Sequence, residues 1–148
     1  MPAREPVIDM VFRKLGGRAA FGKEVKSEAD LARLVRHRLS LKVLAFLHER
    51  GGFSDQEISQ FVIPERTQRH RAAKRQPLTV EESDRAVRLA RIQSMAEDVF
   101  ADAEKANRWL REKLGILDGN APLEVAQTES GVRVVEQILA KIDWGAAA

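Results

Sequence analysis

Residues Ser54 to Arg75 place the tightest limits on what this chain can fold into. Ser54-x-x-Glu57 has the form of a capping box: the serine hydroxyl takes a free N–H at a helix start and the glutamate reaches back to the serine N–H. Ile58, Phe61 and Val62 then give that short helix an inward side. Pro64 suits the first turn of a second helix, where its missing N–H costs little. Gln76-Pro77 closes that helix. A capped helix, a tight turn and a second helix make a helix-turn-helix, and the second helix is loaded with base: Arg66, Arg69, Arg71, Lys74 and Arg75 against one acid, Glu65.

The rest of the chain also reads as helical. Val7, Ile8, Val11, Phe12 and Leu15 have helical spacing up to Gly16-Gly17. A docking helix and a mobile arm are both compatible with residues 1–28. Leu31, Leu34, Val35 and Leu39 form one apolar face. Leu41, Leu44, Ala45 and Leu47 form the next, up to Gly51-Gly52. Thr79-x-x-Glu82 is a second capping box and opens the longest helix, running to Val99 or Phe100. Asp102 can cap a helix carrying Ala106, Trp109, Leu110 and Leu114, with Gly115 as its left-handed stop. Pro122 to Ala126 reads as a short helix. Thr128 can cap the last helix, with Val134, Val135, Ile138, Leu139 and Ile142 as its stripe. No segment shows sustained period-two alternation, so the predicted fold class is all-α. The expected division is an N-terminal segment 1–28, a helix-turn-helix domain 29–101 and a small helical C-terminal domain 102–148.

Composition narrows the function classes. Of 148 residues, 44% are apolar, enough for a core. The chain has no Cys, which excludes disulfides, zinc–thiolate sites and Cys nucleophiles. His37, His48 and His70 lack tight metal-ligand spacing. No glycine loop for phosphates and no nucleophile elbow is present, and Glu81-Glu82 sits at a helix start, where capping explains it. The expectation is a non-enzyme with no catalytic residues, metal or cofactor. No apolar run reaches the ~18 residues of a membrane span and no signal-peptide pattern opens the chain, so the expected compartment is the cytoplasm, with no membrane partner. The net charge of +3 is too small to argue for a partner by itself; its local distribution matters more.

The basic helix is the chemically loaded element. An α-helix fits the DNA major groove with its early residues at base edges. Arg66, Thr67, Gln68 and Arg71 are the candidate base contacts, since Arg pairs bidentately with guanine and Gln with adenine. Arg69, Lys74 and Arg75 are candidate phosphate contacts, which hold register without reading sequence. A solvated basic helix with no DNA role is the plainer alternative. One such helix makes few contacts, so useful affinity calls for a dimer on a two-fold operator. Arg85, Arg88 and Arg91 alternate with acids and read as ion pairs on an exposed helix.

Trp109 has the spacing of a core residue. Trp144 lies past the last stripe, beside Gly145, where an apolar ring needs a surface, its own domain's or a partner's. Ala106-Asn-Arg-Trp109-Leu110, Leu117-Asp-Gly119-Asn-Ala-Pro122-Leu123, Thr128-Glu-Ser-Gly131, Val135-Glu-Gln-Ile-Leu139 and Ile142-Asp-Trp-Gly145 together resemble the toxin-binding domain of the Xre/MbcA/ParS antitoxins. Ile63-Pro-Glu-Arg66-Thr67 and Leu78-Thr-Val-Glu-Glu82-Ser83-Asp84-Arg85 resemble that family's recognition helix and the helix after it. The resemblance covers roughly residues 30 to 145.

The resemblance implies an antitoxin that binds and neutralises a toxin, commonly a RES-domain protein that consumes NAD⁺, by obstructing its active-site entrance. It also implies a homodimer within a larger complex and repression of the antitoxin's own operon. Carried over, Leu123, Val135, Leu139, Ile142 and Trp144 become interface or interface-supporting candidates. Two other readings stand beside this one. The first is a stand-alone transcriptional regulator whose C-terminal domain only dimerises. The second is an interaction protein whose helix-turn-helix serves only for packing.

Overall fold

The computed structural model describes residues 4–147, with side chains through Gly145. The described residues form ten α-helices, one 3-10 turn and no strand. None of these helices is long and apolar enough to cross a membrane. Contacts divide the chain into two compact units: Ile8–Ala90, and Arg91–Ala148 together with the chain start up to Val7.

The first unit holds α1 (Val7–Lys14) from its second residue, α2 (Gly17–Phe21), α3 (Glu28–Arg36), α4 (Lys42–Gly51), α5 (Asp55–Phe61), α6 (Glu65–Ala73) and the first half of α7 (Val80–Phe100). Its core is aliphatic, with one aromatic ring: Val11, Leu15, Leu31, Leu39, Val43, Leu47, Phe53, Ile58, Ile63, Leu78 and Leu89 are all buried. Of the two readings left open for the chain start, the structure shows the packed helix. Met10, Val11 and Leu15 of α1 are buried. Gly16 turns the chain at a φ of 117°, where an added Cβ would meet the Phe46 ring at 2.5 Å. Arg50 lies 4.6 Å from that ring's centroid and donates to the Arg13 carbonyl at 2.9 Å.

Both capping boxes form. Ser54 Oγ accepts from Glu57 N–H at 3.1 Å while Glu57 accepts from Ser54 N–H at 2.9 Å. Thr79 Oγ1 accepts from Glu82 N–H at 3.1 Å while Glu82 accepts from Thr79 N–H at 2.8 Å. Pro64 stands one residue earlier than expected, as the N-cap of α6, and Ser59 Oγ accepts the Glu65 N–H at 3.1 Å in its place.

The second unit holds the rest of α7, then α8 (Ala103–Arg111), the 3-10 turn Gly115–Leu117, α9 (Pro122–Val125) and α10 (Glu129–Ala147). Asp102 caps α8 by accepting from Lys105 N–H at 3.1 Å, and Thr128 Oγ1 accepts from Gly131 N–H at 2.9 Å. Gly115 is not the left-handed stop expected of it. Helix α8 ends at Arg111 with Glu112 already extended. Leu114 is held extended by an isolated antiparallel bridge to Asn120, Leu114 N–H donating to the Asn120 carbonyl at 3.1 Å. The left-handed turn falls later, at Asp118 and Gly119, with φ of 57° and 82°.

Candidate functional site

Helix α6 has no buried residue, so its placement depends on polar tethers. Arg71 supplies the main one. Its guanidinium donates to both carboxylate oxygens of Glu82, at 2.6 and 3.2 Å, and to the Pro77 carbonyl at 3.2 Å. The Arg71 and Glu82 side chains are only 16% and 11% exposed, so water does not compete freely for the pair. Burial disfavours the charged form of Glu82, but the hydrogen bonds from Arg71 and Thr79, with the charge of Arg71, prevail and hold its carboxyl below the ordinary value of 4.5. Gln68 supplies a second tether, Nε2 donating to the Ile63 carbonyl at 2.9 Å. Arg85, on α7, donates to the Val62 carbonyl at 3.2 Å, at the end of α5.

These tethers sort the seven candidates on the basic helix. Arg71 and Gln68 are spent inside the molecule, and Thr67 is half-buried. Arg66, Lys74 and Arg75 are exposed and have no ion-pair partner among the described residues. Arg69 is exposed too, and its 3.5 Å approach to Glu65 is a surface contact of little energy. His70 is exposed and sits one helical turn after Arg66, so the two share the outer face. The outward-facing set is therefore Arg66, Arg69 and His70. Sequence reasoning missed this because the second role of Glu82 is hidden behind its capping box.

The C-terminal candidates separate by burial. Leu123, Val135 and Leu139 are core residues of their own unit, at 2%, 0% and 2% exposure. Buried within that unit, they present no surface of their own. Ile142 is half-buried, while Trp144 is 79% exposed. Ile116 and Val134 are also exposed, two apolar surface residues that the sequence reading did not single out as contacts. Trp109 is half-buried, its ring 5.6 Å from Phe100. Arg4 bonds to the last turn of α7 and also touches α10. Its guanidinium reaches Asp98 Oδ1 at 3.1 Å, the Asp98 carbonyl at 2.6 Å and Asp143 at 3.4 Å. The Asp143 contact joins two exposed side chains and is of little energy; Asp143 directly precedes the exposed Trp144.

Comparison with known proteins divides the chain along similar lines. A family model described as the antitoxin Xre-like helix-turn-helix domain matches residues 30–91. A second, the antitoxin Xre/MbcA/ParS C-terminal toxin-binding domain, matches residues 95–145. Antitoxin Xre of Pseudomonas putida is 38% identical over 122 residues, covering 82% of this chain and 76% of its own length. The "Prs ADP-ribosylating antitoxin" of a Sphingobium species is 34% identical over 87 residues, covering 53% of this chain and 55% of its own.

Proposed function

This chain belongs to the Xre/MbcA/ParS antitoxin family and is the helix-turn-helix antitoxin of a toxin–antitoxin system; from that premise we propose that it neutralises a RES-domain toxin that consumes NAD⁺, by covering the entrance to the toxin's active site. The observation that carries this reading is the exposed Trp144 near the end of α10, within the segment matched by the toxin-binding model. The choice of toxin chemistry is supported by the Sphingobium relative, whose name refers to ADP-ribosylation, a reaction that draws on NAD⁺. Ile142 and Trp144 are the contacting residues, and Leu123, Val135 and Leu139 hold the helices beneath them. Neutralisation in this scheme is binding and exclusion, with no chemistry performed by the antitoxin. The toxin-binding task falls to residues 102–148.

The DNA task falls to residues 29–101. We assign base contact to Arg66, Arg69 and His70, and phosphate contact to Lys74 and Arg75. Arg71 and Gln68 hold the helix that presents them, and Thr67 lies between. A homodimer would place two copies of α6 on a two-fold operator in the antitoxin's own promoter and so repress its operon. The test is to express the gene adjacent to this one, with and without this chain, while following growth and cellular NAD⁺. Growth and NAD⁺ should collapse with the neighbour alone and recover on co-expression. Growth arrest at steady NAD⁺ would refute the toxin chemistry, and an absence of toxicity would refute the pairing.

A further inference from the structure

The loop after α6 is bonded to the junction between α3 and α4. Leu78 N–H donates to the Leu39 carbonyl at 2.9 Å, and Arg38 donates to the Leu78 and Pro77 carbonyls at 2.8 and 3.3 Å. Leu41, just before α4, and Ala72, in the last turn of α6, line one groove. The start of α4 and the end of α6 therefore lie side by side. On the α3–α4 side stand Arg36, the last residue of α3, and Lys42, the first of α4. On the α6 side stand Lys74 and Arg75. All four are exposed, and none has an ion-pair partner among the described residues.

One of these cations is placed against local preference. Lys42 opens a helix whose first turn has no acid, at the positive end of the helix dipole, where a cation is disfavoured. Arg75 is left-handed, at 55°, because its backbone closes α6: its N–H donates to the Ala72 carbonyl at 3.1 Å and Gln76 N–H donates to the Arg71 carbonyl at 2.9 Å, with the side chain left exposed. Arg38 is left-handed as well, at 67°, and its side chain holds the loop after α6. Lys42 gains no ion pair among the described residues. A local rule broken without internal compensation points to a role outside the molecule. Exposed, unpaired cations on both of these joined segments suit a phosphate backbone.

We infer that Arg36 and Lys42 extend the DNA-contacting surface beyond α6, as phosphate ligands continuous with Lys74 and Arg75. The inference rests on the DNA-binding reading above. Phosphate contacts add affinity without reading sequence, and each one changes the slope of log affinity against log salt by about 0.9.

The test compares the full chain with its Arg36→Gln/Lys42→Gln variant. Both are titrated with a duplex from the antitoxin's own promoter and with a scrambled duplex, over a salt series. The variant's slope should be shallower by about 1.8 per bound protomer, about 3.6 for the proposed dimer, with the promoter-to-scrambled ratio unchanged. Its thermal midpoint should not fall, because Lys42→Gln removes a cation from a helix start. An unchanged slope in a variant that still binds overturns this inference alone. So does lost affinity accompanied by a lower thermal midpoint. A wild-type chain that binds neither duplex at low salt overturns the DNA-binding reading itself.

Discussion

Gly131 occupies a position where a methyl group has no room. A Cβ there would lie 1.7 Å from the Val125 carbonyl oxygen and 3.0 Å from Thr128 Oγ1. Neither neighbour is free to yield: Val125 is the last residue of α9, and Thr128 Oγ1 is the cap that accepts the Gly131 N–H. In Thr128-x-x-Gly131 the threonine therefore starts α10 and the glycine lets α9 pass close to it. Alanine is the better helix former by about 1 kcal/mol. Overpacking costs about 1–3 kcal/mol and an overlap this close lies at the upper end, so Gly131→Ala should nonetheless lower stability by about 1–2 kcal/mol net. Urea unfolding followed by circular dichroism checks this, and equal or greater stability would mean that α9 can shift at no cost. The cap was legible in the sequence because the threonine and the N–H it binds are three residues apart. The reason for the glycine was not, since it depends on where α9 lies.

The basic helix α6 is held by an acid that belongs to the next helix's cap. Glu82 accepts from Thr79 N–H and from Arg71 at once, and this ties the start of α7 to α6. Its folded pKa lies below its ordinary value, so its stabilising contribution is full above about pH 4.5 and is lost as the pH falls through the depressed folded value. The wild-type chain should lose thermal midpoint as the pH is lowered from 7 towards 3. Glu82→Gln should be less stable at pH 7, and the gap should narrow on acidification. A gap that stays constant across that range would show that the Arg71–Glu82 pair is not the acid-sensitive tether.

The same element shows how far sequence reasoning reaches. The capped helix, the turn and the run of base were legible because caps and helical periodicity are local. Which arginines face outward was not, because the partner of Arg71 lies 11 residues away, behind a proline and a turn. The docking of α1 was hidden in the same manner, since Arg13 meets Arg50 across 37 residues.

At the scale of the whole molecule, the proposed division of labour rests on two sets of residues in two compact units. The outward cations of α6 belong to the first unit and Trp144 to the second. Arg66→Ala with Arg69→Ala removes exposed side chains that contribute little to folding, so secondary structure and thermal midpoint should be preserved. That double variant should lose operator binding in a gel-shift titration by about 30-fold or more, on the order of two lost contacts at about 1–3 kcal/mol each. It should still restore growth to cells expressing the toxin. Trp144→Ala should do the reverse. An exposed ring leaves no cavity behind, so the fold and the operator titration should be untouched. A buried aromatic anchor at an interface is worth about 2 kcal/mol or more, so affinity for the toxin should fall by a factor of about 30. If either folded variant loses both activities together, the tasks are not separable and neutralisation needs the helix-turn-helix unit as well. If Trp144→Ala leaves toxin affinity intact, the exposed helix end is not the occluding element, and Ile116 and Val134 become the next apolar surface residues to replace.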